Sequence, residues 1–473
     1  MCIRDRERYD ANTSVLRDPF SLYEVVNARD FYSFPENADL VRPETIGDDF
    51  SVYVSGDGER SNNVTAFRDG ETWFFADGEQ ANGGNVVFGG DVVQPRLYGD
   101  RVNDIQLEGF DPDNSFTDFE PEINWMPRLA FSFPISDDAN FFAHYDILVQ
   151  RPSEAQALTT PLQYFYFTER ARNTLFSNPD LKPQKTIDYE VGFQQKLNRI
   201  SAIKISAYYK ELRDLIQRRP YTFVADVNQY TTFDNLDFGT VKGFTFGYDL
   251  RRTNNVQVNA TYTLQFADGT GSDANSAAGL QSNGFIRTLF PFSFDERHRL
   301  NLTVDYRYGA GSKYNGPTIR GKNIFANAGI NINGTAVSGR PFTQALQANA
   351  FSGQGLDGQL NGSRLPWNFW LNLKIDKQFT LTKPEAKHQL GLNVYFRVQN
   401  ILDRRNNIRV YTATGSSEDD GFLVSAEGVA AVNQIENTGQ DIGSFLDAYQ
   451  WRLINPTFFS LPRRAYIGAA LTF

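Results

Sequence analysis

The chain has 473 residues, with 46 Lys+Arg against 56 Asp+Glu, a formal charge of −10, 14% aromatic residues, one Cys and three His. A single Cys excludes a disulfide scaffold and a Cys-rich metal site, and an acidic chain without a basic run is a poor nucleic-acid binder. The aromatic content argues against disorder, and no apolar run is long enough for a transmembrane helix.

At the start, MCIRDR (1–6) carries no apolar stretch of the kind a signal peptide needs. The hexamer resembles translated sequencing adaptor, so the chain is expected to be a piece whose true start lies upstream. Short strand-like runs follow at SVYV (51–54) and TWFF (72–75). From residue 128 onward the pattern is period 2. In one segment Leu390, Leu392, Val394, Phe396 and Val398 alternate with Gly391, Asn393, Tyr395, Arg397 and Gln399. In another, Trp367, Phe369, Leu371, Leu373 and Ile375 alternate with Asn368, Trp370, Asn372, Lys374 and Asp376. Successive side chains of a strand point to opposite faces, so each such strand has an oily face and a wet face.

Eleven strands are expected at 128–135, 141–151, 187–197, 202–216, 241–252, 256–266, 299–308, 325–336, 367–380, 388–402 and 462–473. Most are longer than the 5–6 residues usual in soluble domains and reach the roughly 9–11 needed to cross a bilayer. Their connections alternate short and long, with 309–324 the one poor fit. Short turns at one end and long polar loops at the other are the pattern of an outer-membrane barrel. The fold class is therefore all-β, a transmembrane antiparallel β-barrel, in contact with outer-membrane lipid. Trp367, Tyr306, Tyr308, Phe379 and Phe473 are candidates for its interfacial aromatic girdles. By parity Arg252 and Lys377 fall on the oily face near the short turns. Phe142 and Trp370 fall on the wet face, where they would pack against a plug.

Several segments resemble the C-terminal barrel of TonB-dependent receptors, above all the Oar-like group of Bacteroidota. They include MPRLAFSFPIS (126–136), TIDYEVGFQQKL (186–197), DFGTVKGFTFGYDLRRTNN (237–255), DERHRLNLTVDYRYG (295–309), SRLPWNFWLNLKIDKQF (363–379), NVYFRVQNILDRRN (393–406) and PRRAYIGAALTF (462–473). The resemblance implies a barrel of about 22 strands plugged by an N-terminal domain. About eleven strands and no plug are expected here, in 126–473. Residues 1–125 are expected to hold the outer end of a preceding strand, RYDANTSVL (8–16), then a long extracellular region. The implied activity is energised uptake of a scarce solute and is not enzymatic. The implied partners are the TonB–ExbB–ExbD complex, acting through a missing N-terminal part, and an extracellular small-molecule, glycan or peptide ligand. Surface adhesion or a passive porin are the alternatives. Tyr466, Ile467, Ala469, Leu471 and Phe473 resemble the C-terminal signal read by the barrel-assembly machinery.

Other motifs carry less. Gly353, Gly355 and Gly358 spell G-x-G-x-x-G, but in a loop with no helix to follow, so no nucleotide cofactor is expected. Asp111, Asp113 and Ser115 resemble the start of a calcium loop that lacks its Gly and its Glu, and Glu418, Asp419 and Asp420 form an acidic loop cluster. A solvated turn is the default for both. His144, His298 and His388 show no ligand spacing, so neither a metal nor a catalytic residue is assigned. Phe165, Tyr166, Phe167, Tyr221, Phe223 and Tyr230 are loop aromatics suited to many ligands.

Overall fold

The computed structural model describes all residues except 1–5, 10–12, 22, 56–60, 88–92, 99–112, 114, 158–174, 225–227, 277–287 and 383–389. Its main feature is a twelve-stranded antiparallel sheet, eleven strands of which follow one another in a single meandering path. We number these β1 (Arg128–Ser136), β2 (Ala139–Gln150), β3 (Gln184–Lys196), β4 (Ser201–Val224), β5 (Asn228–Thr253) and β6 (Val256–Gly269). The path continues through β7 (His298–Arg307), β8 (Ala328–Val337), β9 (Asn368–Thr380), β10 (Gly391–Gln399) and β11 (Arg464–Thr472). The twelfth, Phe290–Pro291, pairs with the end of β6. Every strand expected from the alternation is present and pairs with its neighbours in sequence. No helix among the described residues is long and apolar enough to cross a membrane.

The register shows why the alternation matters. Phe133, Phe141, Phe193, Ile205, Phe246, Tyr262 and Leu300 stand opposite one another across β1 to β7. One residue along, Ser132, Phe142, Gly192, Ser206, Thr245, Thr263 and Arg299 form the matching line on the other face. A slip of one residue in any strand would exchange the two faces, so the pattern pins the register. Among the described residues no second layer covers the apolar face: Phe131, Val191, Phe244, Leu300, Ile330, Phe396 and Ile467 are all exposed. The expected oily surface therefore faces outward and is not the inside of a sandwich.

Two strands exceed expectation. β4 and β5 run to 24 and 26 residues, converting most of the loop expected at 217–240 into ladder. Register shifts at Leu212, Leu215 and Ile216, with Asp214 at φ 56, mark where the pair leaves the regular wall. A second bulge, between Leu250 and Thr253, corrects the parity of Arg252. The extra residue turns Arg252 to the polar face, where its guanidinium pairs with Asp305 and donates to Gln257 Oε1 (3.1 Å). Lys377 keeps its apolar-face parity and reaches back to the Ile324 carbonyl of the adjoining turn.

On the polar face, large side chains lie across glycines of the next strand. Phe142 covers Gly192, Tyr208 covers Gly243, Arg307 covers Gly329 and Tyr395 covers Gly468. Phe142 is thus buried by its own wall and by Lys204, whose ammonium sits 4.6 Å from the ring centroid, and needs no plug to cover it. A Cβ at Gly192 would overlap the Phe142 ring. Gly192→Val is expected to cost about 1–3 kcal/mol in urea titration of the folded barrel, with part of the loss recovered by adding Phe142→Ala.

Candidate functional site: the polar wall and its outer assembly

The polar face is a continuous surface of amides, hydroxyls and paired charges. Lys210 donates to Asp188 (2.5 Å), and Arg307 grips both oxygens of Asp376 (3.0 and 2.7 Å). Between them Asn333 donates to Thr303 (3.0 Å) and Thr335 to Asn301 (3.2 Å). Asparagine is a poor strand former and threonine a good one, and the polar groups of both suit a wall that meets water. The wall has one concavity of about 530 Å³ at its short-turn end, around Asp138, Lys196, Asp249 and Arg251, and another of about 390 Å³ around Asn372, Lys374 and Arg397.

Aromatics ring the apolar face at both ends. At the long-loop end Tyr145, Tyr189 and Tyr209 stand side by side, with ring centroids 5.2 and 6.2 Å apart. Nearby His298 stacks on Trp367 (5.6 Å) and meets the Tyr262 hydroxyl through Nδ1 (2.8 Å). At the short-turn end Tyr306 meets Tyr308 (5.2 Å), and Tyr308 meets Tyr314 and Phe325 (5.9 and 6.0 Å). The misfitting connection 309–324 thus brings Tyr314 against Tyr308 and extends the girdle. Along β9, Phe369 to Phe379 spans ten steps of about 3.3 Å, and a tilt of about 40° brings this close to the ~25 Å apolar band of a membrane barrel.

The model of the outer membrane protein beta-barrel family matches residues 97–333. The chain belongs to that family. No curated protein matches it. Among solved structures, the outer membrane transporter YddB from Escherichia coli is 13% identical, with 61% of this chain and 38% of that one covered at a TM-score of 0.39. The FrpB iron transporter from Neisseria meningitidis (F3-3 variant) is 14% identical, with 62% and 36% covered at 0.37. The ferric-catecholate import receptor Fiu from E. coli is 13% identical, with 77% and 37% covered at 0.36. The chain spans less than two fifths of the length of each.

As a member of the outer membrane barrel family, the chain resides in the outer membrane, with its apolar face to lipid and its polar face to the lumen. In barrels of this kind long connections generally face the cell exterior and short turns the periplasm. Two outer assemblies are built on the wall. In the first, Thr72–Phe75, Val64–Asp69, Ser51–Ser55 and Val93–Pro95 form a four-stranded sheet. Beside it lies the helix Ala28–Ser33, whose N-cap Asn27 accepts from the Asp30 N–H (2.8 Å). Arg219 of β4 pairs with Glu71 and with Asp234 (2.8 Å), while the Tyr230 hydroxyl donates to the Pro19 carbonyl (2.8 Å). Tyr221 and Tyr230 stack on each other, and Tyr221 meets Phe20 edge to face, so both are core and not exposed ligand contacts.

Buried Arg68 pairs with Asp18 (2.5 Å), donates to the Tyr53 hydroxyl (3.0 Å) and lies 4.5 Å from the Phe20 ring centroid. Burial pushes Tyr53 up to about 12, against the pull of Arg68. A raised value means that the neutral hydroxyl is favoured by folding. Its contribution is complete below about pH 10, where the unfolded tyrosine titrates, and is lost as pH rises toward about 12. Alkaline titration should show delayed tyrosinate absorbance and loosening of this assembly in that window; Tyr53→Phe should abolish the pH-dependent part.

The second assembly follows β10. The helices Ala426–Asn437 and Ile442–Leu453, capped by Ser425 and Asp441, flank a core containing Tyr411, Tyr449 and Phe351. Asp420 is buried there and accepts from the N–H groups of Phe351 (2.8 Å) and Phe422 (3.0 Å) and from the Tyr449 hydroxyl. Both oxygens are engaged by donor hydrogens, so Asp420 serves as a packing anchor. Asp419 binds the Gly421 N–H (2.9 Å) in a turn. No His, Cys, Asp or Glu group that could hold a metal occurs among the described residues.

The remaining expectations divide. Gly353 lies in the short strand Ser352–Gln354 of a hairpin, and no helix follows the G-x-G-x-x-G run. Asp113 contributes its carbonyl to Arg17 (2.7 Å). Asp111, Phe165, Tyr166, Phe167 and His388, and the side chain of Phe223, lie outside the described residues. In β11 Ile467, Ala469 and Leu471 oppose Phe396, Val394 and Leu392 on the lipid side, while Tyr466 opposes Arg397 on the lumen side. Ile467 and Phe473 are 82% and 94% exposed. The sequence let the wet-face charges be read as bonding one another but did not say which cation meets which acid, because cross-strand partners lie far apart in the chain.

Proposed function

We propose that this chain is the C-terminal part of a TonB-dependent receptor, close to the Oar-like group of Bacteroidota, whose complete form imports a scarce solute with energy delivered through TonB–ExbB–ExbD. One observation carries the reading. Eleven antiparallel strands leave β1 and β11 running in the same direction, so neither this wall alone nor two copies of it can close with every pair antiparallel. Closure needs an odd number of further strands. Arg6–Tyr9, which pairs with Glu122–Trp125 just ahead of β1, lies where the outer end of the next strand belongs. A barrel well beyond eleven strands has a lumen too wide for its own side chains to fill, left open as a water channel at about 16–18 strands and plugged at about 22, and the receptor reading takes the plugged form. Residues 1–125 are then a strand end plus an extracellular region, and 126–473 the barrel portion. The receptor would bind a small molecule, glycan or peptide between outer loops and plug and catalyse nothing itself. The assembly that precedes β1 favours a second reading, surface adhesion.

We also assign Tyr466, Ile467, Ala469, Leu471 and Phe473 to the signal for barrel assembly, since they present an exposed aliphatic and aromatic edge on the last strand.

The test is deletion of the intact gene in its bacterium, followed by growth on limiting iron chelates, cobalamin, oligosaccharides or peptides. The receptor reading expects one uptake to be lost on deletion and equally on collapse of the proton gradient. Uptake that survives a protonophore points to a porin. Unchanged uptake with lost attachment points to adhesion.

A further inference from the structure

Most cations of the lumen face have an acid. Lys210 has Asp188, Arg252 has Asp305 and Arg307 has Asp376. Lys374 and Arg397 do not: neither forms an ion pair among the described residues. They are Cα partners on β9 and β10 and project from the same face, so two positive charges stand directly opposite each other. Like charges in that position repel and destabilise the sheet, unless something compensates them. The nearby acids are already engaged. Both oxygens of Asp376, two residues along β9, are held by Arg307. Asp305 is held by Arg252 and by the Asn331 amide (3.4 Å). The Lys374 ammonium instead lies 5.5 Å from the Tyr395 ring centroid.

The surroundings suit an anion. Lys374 and Arg397 share the concavity of about 390 Å³ with Asn331, Asn333, Asn372 and Tyr395. No carboxylate lines it. Asn372 accepts the Asn400 N–H through Oδ1 (3.0 Å), which leaves its NH₂ as a donor. A planar guanidinium fork, a mobile ammonium and an amide NH₂ around one hollow are the donors that an oxyanion recruits.

We propose that Lys374 and Arg397 form an anion subsite on the lumen wall, taking a carboxylate, phosphate or sulfate group. The group belongs either to a solute crossing the lumen or to an acidic side chain of a protein segment that fills it. The subsite needs only that this face line the lumen, so it stands or falls independently of the receptor reading.

The experiment is amine-reactive labelling of Lys374 in the intact gene product, in outer-membrane vesicles, read by mass spectrometry with citrate as the probe. Lys210, on the same face but already paired, is the internal control. If the anion comes from solute, citrate slows labelling of Lys374 and not of Lys210. Arg397→Gln then raises the citrate concentration needed for half-protection by about tenfold, the loss of one charge-assisted contact. If it comes from a protein carboxylate, Lys374 is protected without citrate and Arg397→Gln speeds its labelling. Labelling of Lys374 that responds neither to citrate nor to Arg397→Gln overturns the proposal. Unchanged heat-modifiable migration of the variant verifies its folding.

Discussion

Phe246→Arg is expected to destabilise the barrel by about 2–4 kcal/mol, whereas Thr245→Arg, one residue away, should be close to neutral. Phe246 lies midway along the membrane part of β5, between Ile205 and Tyr262, with 43% of its surface exposed on the lipid side. An arginine there must hold its charge in hydrocarbon, too far from either interface for its stem to reach water at low cost. Thr245 stands opposite Ser206 and Thr263 on the lumen face, where a cation meets water and hydroxyls. Equilibrium unfolding of both variants in lipid vesicles measures the difference. Equal effects would mean that the two faces do not differ in solvent, and the membrane assignment of the wall would fail.

The second large effect is expected at Asp376. Its carboxylate is 4% exposed and receives two guanidinium hydrogen bonds from Arg307, reaching across from β7 over Gly329 of β8. Asp376→Ala should cost about 3 kcal/mol, the low end for breaking a buried pair, because Arg307 keeps 32% of its surface in water and part of its charge is screened. The double variant Arg307→Ala/Asp376→Ala should lose less than the sum of the singles, since Arg307→Ala strands the buried carboxylate and Asp376→Ala leaves Arg307 only its longer contact with Asp305 (3.9 Å). The same unfolding assay checks this. Additive losses would show that the two side chains are not coupled.

The wall was legible because its signal is local and repeated. Leu390 to Val398 and Trp367 to Ile375 each declare two faces within one strand, and the structure places β10 and β9 there. Strand ends were less legible. The outward extensions of β4 and β5 carry Tyr221, Tyr230 and Arg219, which partner each other and Asp234 across the ladder and are covered by Phe20 and Glu71 from far upstream. Loop aromatics and acids such as Tyr221, Tyr230 and Asp420 read as solvent-facing in the chain and are packed inside their assemblies. In the chain, a buried carboxylate held by amide hydrogens looks the same as a hydrated one.

Period-2 patterning over ten or so residues by itself determined the class, the count and order of wall strands, and which face is oily. Strand side chains alternate by geometry, and only a lipid-facing wall needs so many long alternating strands. The tertiary structure decided the rest. The bulge at Leu250–Thr253 sends Arg252 to Asp305, Gly192 receives Phe142, and Arg307 reaches Asp376 while Lys374 and Arg397 are left facing each other. Those outcomes depend on register between strands separated by tens of residues. A one-residue insertion there reverses which charge meets which, and no pattern within a single strand encodes it.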